Sequence, residues 1–314
     1  MDRSNPGGNG GGRPPADGAG PGPVPAARWT ALRPHQWTKN LLVFVPLLAS
    51  HRLFEVGLLR RSFVAFLAFC AAASAVYLVN DVVDRSSDRA HPRKSRRPVA
   101  GGSIPPAIAI ALGCVLATAA LLASGLLGLL PAAGIGGYLL LNLAYSLRLK
   151  RALLVDVFAL ASMHVWRMVV GGWVAGIHLT SWLLGFSAFL FLSLALAKRY
   201  AEVARLADRG LDSVRGRAWE SRDAEALRAA GIASGVGGAV VLALYVQGES
   251  FTLLYRNATV AMLLVPLYLH WIIRMWIRAG RLELDEDPLL FAVRDPGSWT
   301  ALLLALAILV SAMV

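Results

Sequence analysis

Charge is scarce in this chain: 16% of its 314 residues are Asp, Glu, Lys or Arg, against about a quarter in soluble domains. That excludes a string of ordinary soluble domains. Cysteine is scarcer still. Cys70 and Cys114 are the two present, each inside an apolar run, which excludes a disulfide framework. Acids are few beside bases, 19 against 31, for a net charge of +12. Such a surplus invites nucleic acid, but the cations sit in loops between apolar runs, so no nucleic acid is expected. Membrane lipids and phosphorylated substrates are the better partners. The short charged segment that opens a cleavable signal peptide is also missing.

What is abundant is apolar sequence, 56% of the chain. It falls into runs of about 20 residues, the length that crosses a hydrocarbon core of roughly 30 Å. Nine spans are expected, at 38–52, 61–84, 104–126, 129–147, 154–176, 181–204, 227–247, 256–278 and 297–314. The fold class is therefore all-α, a polytopic membrane protein. Residues 1–27, rich in Gly and Pro, read as a disordered leader, and 28–314 as a single membrane-embedded domain. The 200–226 stretch reads as a polar, partly helical loop.

Nine spans put the termini on opposite sides. Lys and Arg number 26 in the segments on the N-terminal side and four on the other, Arg52, Arg60, Arg61 and Arg256. The positive-inside rule then makes the N-terminus cytoplasmic, in a multi-pass protein of the cell membrane.

The segment that closes the second span carries the clearest chemistry. Asp81, Asp84 and Asp88 stand at i, i+3 and i+7, with Asn80 four before Asp84, so a helix brings them to one face. Three carboxylates in a row repel unless a cation neutralises them. Hard oxygen donors without thiolate or clustered imidazole suit Mg²⁺. His91 and Pro92 follow, among five cations from Arg89 to Arg97, Lys94 included, that suit phosphate oxygens.

Three other ends on the same side look like parts of one site. Arg33, Trp37 and Lys39 open the first span. Tyr145, Lys150 and Asp156 join spans four and five; Asp156 either holds a second metal or pairs with Lys150. Lys198, Arg199 and Glu202 close span six, where Lys198 and Glu202 also fit an ordinary i, i+4 pair. Arg167 lies deep in span five, three turns beyond Asp156, and a charge there should face the bundle interior. His164, near that face, reads as a core histidine with a satisfied hydrogen bond.

These motifs resemble the UbiA-type intramembrane prenyltransferase superfamily, and within it the decaprenyl-phosphate phosphoribosyltransferase branch. The likeness runs from 33–40 through 80–98, 145–156 and 198–202 to the acidic stretch at 285–295. It implies a nine-transmembrane-helix bundle with a central lipid-open cavity, and Mg²⁺ with pyrophosphate on Asn80, Asp81, Asp84 and Asp88. The second motif of the superfamily is usually a pair of aspartates, whereas here Asp156 stands with Tyr145 and Lys150. That departure fits the phosphoribosyl branch.

The expected function is transfer of phosphoribose from phosphoribosyl pyrophosphate, a phosphorylated soluble donor, to a lipid-linked polyprenyl substrate. Asp81, Asp84, Asp88, Lys150 and Asp156 are the expected catalytic residues. Arg33, Lys39, Asn80, Arg89, His91, Lys94, Arg97, Tyr145, Arg167, Lys198 and Arg199 are the expected substrate contacts. The first rival is a prenyltransferase that alkylates a small acceptor, with Trp166 and Trp173 shielding a carbocation. A transporter or lipid-binding protein is the distant rival, since transporters place paired repeats and broken helices at mid-depth, and here the ionisable groups gather at one interface.

Overall fold

The computed structural model describes residues 29–90, 94–208, 210–212, 218–252, 254–284 and 287–313. His91, Pro92, Arg93, Asp285, Glu286 and the leader lie outside the described residues. Every element assigned among them is helical. A 3-10 helix, Pro34–Phe44, runs into α1, Val45–Ala49. The longer helices are α2, Val56–Val83; α4, Pro106–Gly125; α5, Leu129–Leu147; α6, Val155–Ala175; α7, Ser181–Asp208; α8, Ala224–Gln247; α9, Leu264–Gly280; and α11, Pro296–Met313. Among the shorter helices, α3 is Arg85–Arg89 and α10 is Pro288–Arg294.

Among the described residues eight helices are long and apolar enough to cross a bilayer, not nine. The expected first span is the exception. Its eleven 3-10 residues and five α residues still rise about 30 Å, because a 3-10 turn gains about 2.0 Å per residue and an α turn about 1.5 Å.

The two longest helices overshoot the membrane. At 28 residues each, α2 and α7 extend about 42 Å against a core of roughly 30 Å. The end of α2 carries Asn80 and Asp81, and the last three turns of α7 carry Lys198, Arg199 and Glu202.

Helices that follow one another in sequence pack side by side: α2 on α4, α5 on α6, α6 on α7, α7 on α8 and α8 on α9. The first segment lies inside this ring, against α2 and α6, and α10 touches both it and α7. Gly171 on α6 permits that seat, since a Cβ there would stand 2.3 Å from the Val43 carbonyl oxygen. The helix ends follow local chemistry. Proline opens α10 and α11, where no amide partner is required, and Gly176, at φ 65°, caps α6 in the left-handed region.

Asp295 fastens α11 to α9. It takes both guanidinium nitrogens of Arg274 at 2.5 and 2.9 Å and Arg278 at 3.1 Å, and it caps α11 through the Ser298 amide at 2.7 Å. The Arg274 hydrogen bond holds this carboxyl well below the usual carboxylate range, against the opposing effect of burial. An apolar groove of about 470 Å³ runs between α7, α8, α9 and α11, lined by Leu190, Leu242, Tyr268, Trp271 and Leu302.

Candidate functional site

The acidic row forms where α2 gives way to α3. Asp84 ends α2 at φ −89° and ψ 5°, yet its amide still reaches the Asn80 carbonyl and the Asp88 amide reaches that of Asp84, both at 2.8 Å. The i→i−4 ladder crosses the bend, so the three acids stay on one side. Each meets a cation from another element. Arg33 donates to Asp81 Oδ1 at 2.5 Å. Arg97 reaches Asp88 Oδ2 at 2.6 Å and Asp81 Oδ1 at 3.5 Å. Lys150 donates to Asp84 at 2.9 and 3.2 Å. Arg33 makes its contact from a left-handed backbone, φ 52°, a conformation a bulky residue adopts only where its surroundings impose it.

Asp81 and Asp88 are buried, whereas the Asp84 side chain is 36% exposed. Among the described residues no three Asp, Glu, His or Cys groups converge in the geometry of a metal centre, and the Arg97 guanidinium stands between Asp81 and Asp88. The donor set nevertheless fits Mg²⁺. It is all oxygen, and Asp81 Oδ2 is buried with no hydrogen-bond partner, an orphaned acceptor of the kind a hard cation satisfies. Arg89 faces elsewhere, bracing the Ala100 carbonyl at 3.0 Å. Lys94 lies half-buried in the short turn Lys94–Arg96. Asn80 is half-buried beside the row. His91 lies outside the described residues.

A second cluster lies inward. Lys39 pairs with Asp287, a residue absent from the sequence-derived contacts although its Asp-Pro pairing before a helix is a readable cap signal. Asp287 caps α10 by accepting the Leu289 amide at 3.2 Å. Burial pushes its carboxyl up, but the charges of Lys39 and Lys198 outweigh that and hold it well below the usual range.

Deeper still, Arg167 points into the bundle, as its position in the span requires. It donates to Asn40 Oδ1 at 2.8 Å, the Met163 carbonyl at 2.6 Å and the Tyr138 hydroxyl at 2.8 Å, and it lies over the rings of Tyr138 and Phe69. All these partners are neutral, so a fixed positive charge remains at depth. His164 donates from Nδ1 to the Leu160 carbonyl at 2.7 Å and stacks on Phe191, in keeping with a core histidine.

Asp156 at the start of α6 and Arg199 on α7 form the third group. Their side chains are 0% and 1% exposed and stand 2.7 Å apart. Trp219 Nε1 donates to Asp156 at 3.3 Å. Arg199 also reaches the Tyr145 hydroxyl at 2.6 Å and pairs with Glu202. Two pairings that the spacing allows are not the ones formed. Lys150 pairs with Asp84 rather than Asp156, and Glu202 takes Arg199 rather than Lys198. Asp156 and Arg167 do not meet, being about 16 Å apart along the helix. Trp219, supplied by the 200–226 stretch, gave no sequence signal of its role.

Residues 40–281 match the model of the UbiA prenyltransferase family. A Sinorhizobium fredii protein, the uncharacterized protein y4nM, is 36% identical over 88% of this chain, and the chain spans about half of that protein's length, 54%. The nodulation protein NoeC of Azorhizobium caulinodans is 31% identical over 87% of this chain and 89% of its own. Decaprenyl-phosphate phosphoribosyltransferase of Mycolicibacterium smegmatis is 41% identical over 57% of each chain. Among solved structures, a UbiA homolog from Archaeoglobus fulgidus bound to GPP and Mg²⁺ superposes with a TM-score of 0.66 at 16% identity, over 90% of this chain and 99% of that one.

Proposed function

The chain belongs to the UbiA prenyltransferase family of integral membrane transferases, and from that premise we propose that it transfers phosphoribose from phosphoribosyl pyrophosphate to a polyprenyl phosphate. The observation that carries this reading is the alternation of charge at the rim. Each carboxylate of the row has its own cation, Arg33, Arg97 or Lys150. A soluble donor bearing a pyrophosphate and a sugar phosphate needs that many positive contacts; an allylic diphosphate needs fewer.

In this mechanism Asn80, Asp81, Asp84 and Asp88 would hold Mg²⁺, which when bound supplies Lewis-acid neutralisation of the leaving pyrophosphate. Arg33, Arg97 and Lys150 would exchange their carboxylate partners for pyrophosphate oxygens and orient C1 of the ribose toward the lipid. An oxygen of the lipid phosphate attacks C1, the bond from C1 to the pyrophosphate oxygen breaks, and its electron pair leaves with pyrophosphate. The nucleophile is already an anion, so no side chain has to remove a proton.

Prenyl transfer is the second reading, favoured by the fold shared with a GPP-bound homolog. Two features weigh against it. Trp166 and Trp173 pack on each other and on α5, with the Trp166 indole bonded to the Gly134 carbonyl at 2.8 Å. Nearer the site, Tyr77 lies under Arg33, and Tyr138 and Phe69 lie against Arg167, cations that would repel a carbocation. The test is pyrophosphate release by purified protein with Mg²⁺. Release is expected from phosphoribosyl pyrophosphate plus farnesyl phosphate, with label moving from the sugar to the lipid. Release from geranylgeranyl diphosphate alone would overturn the reading in favour of prenyl transfer.

The rim faces the cytoplasm on the strength of the 26-to-four cation asymmetry, which makes the soluble donor accessible. A cysteine introduced at Ser95 is expected to react with a membrane-impermeant maleimide in inverted vesicles and not in whole cells. The opposite labelling pattern would reverse the orientation.

A further inference from the structure

The Lys39–Asp287 pair is not needed to hold a pyrophosphate at the acidic row. Its two side chains are 14% and 13% exposed, and ionised groups so shielded are costly unless each has a partner. Lys39 meets the carboxylate directly, and α10 packs on α7, the helix that carries Lys198, whose charge also acts on Asp287. The carboxylate is divided between two tasks. Oδ1 caps α10 through the Leu289 amide, while Oδ2 meets the Lys39 ammonium. The partner of Oδ2 can therefore be exchanged without uncapping the helix.

Depth indicates what would take its place. Asn40, next to Lys39, donates to Cys70 Sγ at 3.3 Å, and Cys70 precedes Asp81 on α2 by about 16 Å of helix rise. Lys39 thus rises from well below the row, on the side from which a lipid head would approach rather than a sugar from water.

We infer that Lys39 and Lys198 form a phosphate-monoester subsite for the lipid-borne acceptor, and that Asp287 is its built-in anion, displaced from Lys39 when the lipid phosphate arrives. The inference rests on the reading that the acceptor is a phosphorylated lipid. It assigns donor and acceptor phosphates to separate clusters, the acidic row and the Asp287 cluster.

The test is equilibrium binding of tritiated farnesyl phosphate and of tritiated farnesol to the full chain in phosphatidylcholine nanodiscs, without donor or Mg²⁺. Asp287→Asn is the informative variant, because asparagine caps a helix as well as aspartate while the competing charge is gone. Wild type is expected to prefer farnesyl phosphate over farnesol roughly tenfold, the gain from charge-assisted bonds. D287N should bind farnesyl phosphate roughly tenfold more tightly than wild type does, with farnesol unchanged. The double variant Lys39→Met/Asp287→Asn, which leaves no unpaired charge at that contact, should lose most of the phosphate preference. Two results would overturn the inference: D287N binding both ligands as wild type does, which makes the pair a structural staple, or ribose 5-phosphate displacing the label from D287N as well as farnesyl phosphate does, which gives the subsite to the sugar. Because no donor is present, failure of phosphoribosyl transfer and failure of this subsite are read in separate experiments.

Discussion

Asp84→Asn is expected to lower turnover on the order of a thousandfold, the scale of losing one preorganised electrostatic group, while the protein stays folded and inserted. Its geometry separates the two effects. Asp84 is the most exposed member of the row, and its ion-pair partner is Lys150 on a neighbouring loop. A partly exposed pair of that kind contributes about 0–1 kcal/mol to stability, so the variant should melt close to wild type. Asp81 would be a poorer choice, because it is buried between Arg33 and Arg97 and its neutralisation would leave both guanidiniums without their shared acceptor. The loss in D84N should be deepest at limiting Mg²⁺, where the remaining carboxylates must hold the cation alone. The measurement is pyrophosphate release against Mg²⁺ concentration, with thermal melting alongside. Wild-type turnover at limiting Mg²⁺ would reduce the row to a solvated helix end.

How far the sequence made this legible depends on the range of each interaction. Span positions were readable because bilayer thickness imposes a run length on the chain itself, and the positions of eight helices follow. The first segment was not readable as a 3-10 helix, since its rise is set by packing against α2 and α6 rather than by composition. The row of Asp81, Asp84 and Asp88 was visible as a local spacing, and Arg167 as a charge with nowhere to go but inward. Their partners were invisible. Lys150 and Asp84 lie 66 positions apart, and Lys39 and Asp287 lie 248 apart, so local helix spacing cannot link them.

Spacing on an isolated helix also allows Lys198 to pair with Glu202, yet the sequence holds a signal that favours Arg199. Ser187, Phe191, Ala195 and Arg199 recur every fourth residue on α7, and all four are buried. That stripe, followed past the last apolar member, would have sent Arg199 into the core. An isolated-helix pairing rule has no knowledge of which face is inside.

Arg199→Ala is accordingly expected to lower stability by about 3–5 kcal/mol, because it removes the buried guanidinium that faces the Asp156 carboxylate. Asp156 is fully buried, and Arg199 neutralises it while also reaching Tyr145 and Glu202. Arg199→Lys should recover only part of the loss, since a single ammonium cannot reproduce a planar fork with five donors. Removing both charges with Asp156→Asn/Arg199→Met should be milder than R199A, because no unpaired ion is left behind. Thermal unfolding in detergent or nanodiscs measures all four proteins on one scale. The series also decides what Asp156 is for. A double variant that regains stability but not turnover would show that the pair serves the reaction as well as the fold. If R199A instead kept wild-type stability and lost turnover alone, the pair would carry no structural load, and Arg199 would revert to the role its position in the sequence suggested, a cation for substrate phosphate.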